Sequence, residues 1–468
     1  MKQIRWMVIA LFAAMILLPL AAFERGADVV SAIDNRALAP FPFSAEAQEE
    51  NGDLTGRIES YVNDRIGFRD DMILGYTVLN DRVFGKMIHP SYCYGQDGYV
   101  FFKMGQADTY HEFYQNFADM VVQINDYCRQ RDVPFLLAFE PSKTSVLSDK
   151  LPEGVNADRG WVDGFLQDMQ AHHIPMVDNT GLLREKTAEG VAVFNRKYDA
   201  GHWNSIGAYY GVNAMLAAMQ EDYPGIRLND LTQFTVSEEL QTSLLVSEFP
   251  IQEQTPVVTI PMTIEDHTGD YCGEVELDYQ NRAFGESVNP AVSAEDTPKT
   301  LVFQGSYMNG QGRKYLENAL HDYIYVHNYQ NILNFEYYFN LFQPEYVVFE
   351  VTEFAVGGNH FDPARLENFC LNPTLAAAEK SAADTAELPL KPESLRTERG
   401  EAITKIFWNG ETENEAAAWL TVDGTEFDMR PGEDGGWEVS LLNEQWNGAG
   451  EVSVWLLSEN GVLTAYTG

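Results

Sequence analysis

The chain has 468 residues, 45% of them apolar and 12% aromatic, enough to fill more than one core. Lysine and arginine number 31 against 70 aspartates and glutamates, a net charge of −39. Such a surface repels phosphate backbones and anionic headgroups, which argues against nucleic acid as a partner.

The opening, "MKQIRWMVIALFAAMILLPLAAF", sets Lys2 and Arg5 before an uncharged, mostly apolar run from Trp6 to Phe23. A spanning helix needs about 17–25 such residues, so residues 1–23 are predicted as a membrane anchor, or a signal peptide if cleaved. No clean small-residue cleavage site follows, which favours the anchor. Basic residues ahead of the span hold the amino end in the cytoplasm, and the rest of the chain is then extracytoplasmic. Cys93, Cys128, Cys272 and Cys370 form no C-x-x-C, so zinc ribbons and redox pairs lose support. An oxidising exterior would permit disulfides without specifying any.

Residues 24–95 read as a stalk, "SAIDNRALAPFPF", followed by helices with Ile58, Tyr61, Val62, Ile66, Ile73, Tyr76, Leu79 and Val83 at helical spacing. Asp97-Gly98 signals a turn and Tyr99–Phe102 a short strand. A helix then precedes the continuous apolar run "VPFLLAFEPSK", and the helix "GWVDGFLQDMQAHH" precedes "IPMVDNT". Unbroken apolar strands alternating with helices predict an α/β domain over 96–375, a parallel sheet flanked by crossover helices. Ligands bind such sheets beyond the carboxyl ends of the strands.

Residues 225–298 interrupt the alternation with β character in "QTPVVTIPMTI" and "GEVELDY", read as an insertion. "KTLVFQGSYMNGQGRKYLENAL" resumes strand, turn and helix, and a further helix and strand end near Phe354. Residues 376–402 read as a linker. Residues 403–468, with short alternating runs between Gly and Asn turns, read as a small all-β domain. Its Trp419, Trp437, Trp446 and Trp455 would pack a core or offer stacking faces.

Two segments carry candidate chemistry. In "KYDAGHWNSIGAY", Asp199 and His202 stand three residues apart across a glycine turn. A carboxylate bonded to one ring nitrogen fixes the tautomer and frees the other nitrogen to act as a base. Asn204 or Ser205 would cap the helix that follows, and Trp203 reads as a packing wedge. In "TLVFQGSYMNGQG", Gly305-Ser306 follows an apolar strand and precedes a helix. A serine there projects over the strand ends, beside N–H groups and a helix amino terminus that suit an oxyanion. Each motif alone is more often packing or loop punctuation; their joint occurrence in one α/β unit is much rarer. A metal site at Asp199 and His202 lacks a third ligand nearby. Arg69 in "GFRDD" reads as a structural ion pair, and Lys143 in "PSK" as a carbonyl cap or a substrate contact.

Taken together, "DNRALAPFP", "NDRIGFRDDMI", "YGQDGYVFF", "PSKTSVLSDKLP", "DAGHWNSIGAY" and "LVFQGSY" resemble, in order, the SGNH-hydrolase-like proteins of the alginate O-acetylation and DHHW type, over roughly residues 33–355. The resemblance implies a flavodoxin-like sheet and a triad of Ser306, His202 and Asp199. It implies acetyl transfer or removal on a cell-envelope polysaccharide, with a multispanning membrane protein as acyl donor and no cofactor. Gly305, Asn309, Lys143 and Trp203 are the candidate oxyanion or substrate contacts. The sequence departs from the pattern in three places: "QGS" replaces Gly-Asp-Ser, the Asp–His spacing is one residue longer, and no Gly-x-Asn-Asp block is evident. Three functions stay open at this point: a membrane-tethered O-acetyltransferase, a carbohydrate acetylesterase with the same triad, and a non-catalytic polysaccharide-binding scaffold.

Overall fold

A computed structural model of the chain describes all residues except 1, 27–28, 32, 34–35, 45–46, 48–52, 106–107, 246, 279–280, 411–413 and 433–434. Asp34 and Asn35 of the "DNRALAPFP" block and Tyr279 of "GEVELDY" thus lie outside the described residues. Helix α1 (Lys2–Ala21) is mostly exposed from Gln3 onward, and among the described residues it alone is long and apolar enough to cross a membrane. Its end packs on the corner between α2 (Leu54–Arg65) and α3 (Arg69–Phe84). There Gly67 N–H donates to the Pro19 carbonyl at 3.0 Å, and a Cβ on Gly67 would lie 2.5 Å from the Ala22 carbonyl oxygen. Arg69 pairs with Asp70 at 2.7 Å, a structural ion pair as expected.

The main sheet explains why its strands are apolar throughout. Strand β1 (Tyr92–Tyr94) and β2 (Val100–Phe102) form a small antiparallel ribbon. After α4 (Glu112–Gln130) comes β3 (Phe135–Glu140), every residue of which is buried. Phe135, Leu137 and Phe139 join one core, with Phe117 of α4 and Phe165 of α5 (Val162–Ala171). Leu136 and Ala138 join a second core on the opposite face. A strand covered on both sides cannot alternate apolar with polar, because successive side chains point to opposite faces.

Strand β4 (Met176–Asp178) pairs in parallel with β3. Helices α6 (Thr180–Ala188) and α7 (Ser205–Met219) follow, and α7 buries Val212, Met215 and Leu216 in the second core. Strands β5 (Thr235–Ser243) and β6 (Pro250–Thr259) form a separate hairpin. β7 (Glu265–Asp266) and β8 (Phe284–Val288) instead extend the main sheet as antiparallel edge strands. The predicted insertion therefore supplies part of the sheet.

"GEVELDY" differs from expectation: its described residues form no strand. Its carboxylates face the carboxy-terminal unit, Glu274 accepting from the N–H groups of Glu401, Ala402 and Ile403, and Glu276 pairing with Lys405 and Arg430. Strands β9 (Thr300–Gln304), β10 (Asp322–His327) and β11 (Tyr346–Thr352) complete the sheet in the order β4-β3-β11-β9-β10-β8-β7, and the pairs from β4 to β10 are parallel. Helix α8 (Arg313–Ala319) covers one face and α9 (Phe335–Phe342) the other.

The carboxy-terminal unit is an eight-stranded sheet. Residues 376–402, expected as a linker, contribute its two edge strands, β12 (Asp384–Pro389) and β13 (Leu395–Arg399). Their residues are mostly exposed, which is why they lack the apolar alternation that marks a strand in sequence. Trp419 and Trp437 are buried, so they pack the core. The unit docks on the α/β body through Asp428, which takes the Tyr127 hydroxyl and, at 2.9 Å, Arg131, while Asn340 brackets its main chain.

Candidate active site

Strand β9 ends at Gln304, and Gly305 turns the chain so that a helix begins at Ser306. Gly305 sits close to its neighbours: a Cβ there would lie 3.3 Å from Asn328 Nδ2. Its N–H donates to Glu350 Oε2 at 2.6 Å, from the middle of β11. The turn is thus tied to the adjacent strand by a fully buried carboxyl. Burial pushes Glu350 up to about 7, against the opposing pull of the Gly305 N–H. Beyond Tyr307 the helix widens into a π-helical stretch, Met308–Gly312, before α8. Such widenings recur at functional sites. The first N–H groups of a helix have no acceptor within it, and Ser306 stands at such an end.

Asp199 and His202 lie on the long loop between α6 and α7, which carries an isolated β-bridge between Phe194 and Trp203. No strand leads directly into this loop. Four groups hold it instead. Glu253 of β6 accepts from the N–H groups of Arg196, Lys197 and Tyr198 at 2.6, 2.8 and 2.6 Å. Lys143 Nζ donates to the carbonyls of Val100, Asp199 and Arg196 at 2.9, 3.2 and 3.4 Å. Asn204 caps α7 through Ile206 and Gly207. Trp203 fills the space beneath, where Gly211 leaves room; a Cβ there would lie 2.3 Å from the indole ring.

These contacts bring three side chains into line. His202 Nε2 is 2.8 Å from Ser306 Oγ, and His202 Nδ1 is 2.9 Å from both Asp199 oxygens. An ionised carboxylate only accepts, so Nδ1 carries the proton and Nε2 is left to accept from the serine. Burial works to raise the Asp199 carboxyl. The hydrogen bond from the His202 ring and those from the His202 and Gly201 main chain outweigh it and hold the group below its ordinary value. His202 is a quarter exposed, so the line of groups opens to solvent on one side.

The serine and histidine segments also grip each other. Trp203 Nε1, next to His202, donates to the Tyr307 carbonyl at 3.0 Å. The Tyr307 hydroxyl, next to Ser306, lies 2.8 Å from the Gly201 carbonyl and 3.0 Å from that of Pro141. Tyr307 is wholly buried, and its ring and that of Phe354 flank the His202 imidazole at 5.4 and 5.9 Å.

The other predicted contacts fall in distinct places. Lys143 is 1% exposed, too buried to meet a substrate carboxylate; burial pulls its ammonium down to about 7, with Asp199 and Glu253 opposing. It serves as the carbonyl cap of the two expected roles. Gly305 spends its N–H on Glu350 and does not face an oxyanion. Asn309 is exposed in the π-helical stretch, its side-chain oxygen held by Gln304 Nε2. Trp203 is a buried wedge.

Sequence reasoning passed over Glu350, Glu253, Tyr307 and Phe354. Glu350 left a readable signal, a lone acid inside the apolar run "YVVFEVT". Glu253 left none, since its partners lie more than fifty positions away. Beside the site runs a cleft of about 390 Å³, bounded by the segments that follow β2, β3 and β11, with Phe354 as the wall it shares with His202.

Residues 93–293 match a family model described as the SGNH hydrolase-like domain of acetyltransferase AlgX. Asp199 and His202 lie within the match, and Ser306 lies beyond it. No curated protein sequence matches the chain. Among solved structures, PatB1 of Bacillus cereus is similar at 14% identity and a TM-score of 0.44, over 57% of this chain and 98% of that one. The O-acetyltransferase domain of Pseudomonas putida AlgJ is similar at 14% identity and 0.41, over 60% and 99%. A DHHW family protein of Eubacterium siraeum is similar at 13% identity and 0.42, over 59% and 94%. Over residues 93–293, therefore, the chain resembles an SGNH hydrolase-like domain of the AlgX acetyltransferase type.

Proposed function

We propose that the protein is an exported, membrane-anchored serine O-acetyltransferase acting on a polysaccharide. The observation that carries this reading is the line from Ser306 Oγ through His202 to Asp199, with contacts of 2.8 and 2.9 Å. His202 Nε2 takes the hydroxyl proton as Ser306 attacks the acetyl carbonyl of the donor. Asp199 stabilises the imidazolium, and the proton passes to the leaving group. A sugar hydroxyl then loses its proton to His202 and attacks the acetyl-serine, which releases the ester product and restores the serine. The Ser306 N–H and the Asn309 side-chain Nδ2, on the same helical segment, are the candidate donors to the nascent oxyanion. Asp199, Asn309 and His202 need no metal or cofactor in this scheme.

The acetyltransferase-type match over 93–293 favours transfer, while the same three groups with water as acceptor would give an acetylesterase. Helix α1 would anchor the chain and set the site near the membrane, where a multispanning acyl donor could load it. The test offers the full-length protein an activated acetyl ester, with and without oligosaccharide. Acetylated sugar is expected from the wild type, and Ser306→Ala should lose at least about 10³-fold in rate. Acetate release alone would select the esterase. Undiminished acetyl release by Ser306→Ala would refute the serine chemistry.

A further inference from the structure

Resting on the acetyl-transfer reading above, we infer that the cleft beside His202 takes an uncharged glycan and discriminates against polyuronates. Phe354 supplies the platform: it is 43% exposed, lines the cleft, and stands edge-on to the His202 ring at 5.9 Å. A pyranose lying with its C–H face on that phenyl ring would hold its hydroxyls beside the imidazole that must deprotonate one of them.

The charge of the lining selects the glycan. Among the described lining residues, Asp108, Asp158 and Glu353 face a single guanidinium, Arg159. One nitrogen of that guanidinium, Nη2, is shared between Glu353 at 3.4 Å and the Thr180 hydroxyl at 3.1 Å. Asp108 is held in its ionised form: burial works to raise it, but bonds from His111, the Thr109 main chain and Tyr114 lower it. The rest of the surface adds to the same sign, the chain as a whole carrying −39. A carboxylate on each sugar ring would therefore enter against net negative potential, three acids outnumbering the one guanidinium that could meet it. A neutral sugar carries no charge to be repelled there.

The experiment uses two β-1,4-linked pentasaccharides of equal ring geometry, cellopentaose and the corresponding glucuronan. Each is titrated calorimetrically at pH 8 and low salt into full-length Ser306→Ala protein in detergent, which separates binding from chemistry. Cellopentaose is expected to bind at least about tenfold tighter, with the gap narrowing as salt screens the cleft and in Asp108→Asn/Asp158→Asn. Phe354→Ala should weaken cellopentaose at least about fivefold, and Phe354→Tyr should restore it. Equal or tighter glucuronan binding, failure of cellopentaose to bind at millimolar concentration, or indifference of cellopentaose to Phe354→Ala would each overturn the inference. These outcomes leave the serine chemistry standing, since that fails only if acetyl release survives Ser306→Ala.

Discussion

Asp199 holds a left-handed backbone conformation, φ +59°, that costs a residue with a β-carbon of order 1 kcal/mol. Glycine would remove that cost but could not orient the imidazole, so the strain is tolerated for the carboxylate. Asp199→Asn keeps the shape and can take the backbone conformation, yet its amide can donate to Nδ1 and favour the wrong tautomer. We expect a fall of about 10²–10⁴ in kcat with little change in thermal stability, measured by acetyl-ester turnover alongside a melting curve. Asp199, His202 and Ser306 were legible in the sequence because each sits in a short local pattern: a turn, a cap, or a strand that meets a helix. Glu253 and the carbonyl-gathering duty of Lys143 were not, because their partners lie on distant segments that only the folded chain assembles. That Glu350 of a neighbouring strand claims the N–H of Gly305, a candidate oxyanion or substrate contact, is equally hidden from the sequence.

At the scale of elements, β11 delivers a buried acid to the serine turn. Its pH dependence has a definite sign. The Glu350 carboxyl is raised to about 7 in the folded chain, so between pH 4.5 and 7 the native state holds a proton that the unfolded state has released. Stability from this group is therefore greatest below pH 4.5 and declines as pH climbs toward 7. Urea midpoints across that interval should fall with pH in the wild type and fall less in Glu350→Gln. A Glu350→Gln midpoint tracking the wild type throughout would refute the assignment. The strands β3, β9 and β11 were legible because burial on both faces writes them as unbroken apolar runs. The edge strands β12 and β13 were not, since exposure on both sides leaves a polar composition that reads as a linker.

At the scale of the molecule, the α/β body and the carboxy-terminal sheet meet at Asp428, which is buried opposite Arg131. Burial pushes that carboxyl up to about 6 even with the guanidinium beside it. Asp428→Ala would strand Arg131, itself only 12% exposed, with Glu426 at 3.5 Å as its remaining counter-charge. The expected cost is about 2–4 kcal/mol, read from chemical denaturation, with the two units beginning to unfold separately. An unchanged single transition would show that the interface depends on other contacts.

The exchange between Trp203 and Tyr307 bears on how the protein can fail. Each neighbour of a reactive side chain braces the other segment's main chain, so neither half can be prepared ahead of its counterpart. A chain caught partway through folding should then lack the assembled line of Ser306, His202 and Asp199.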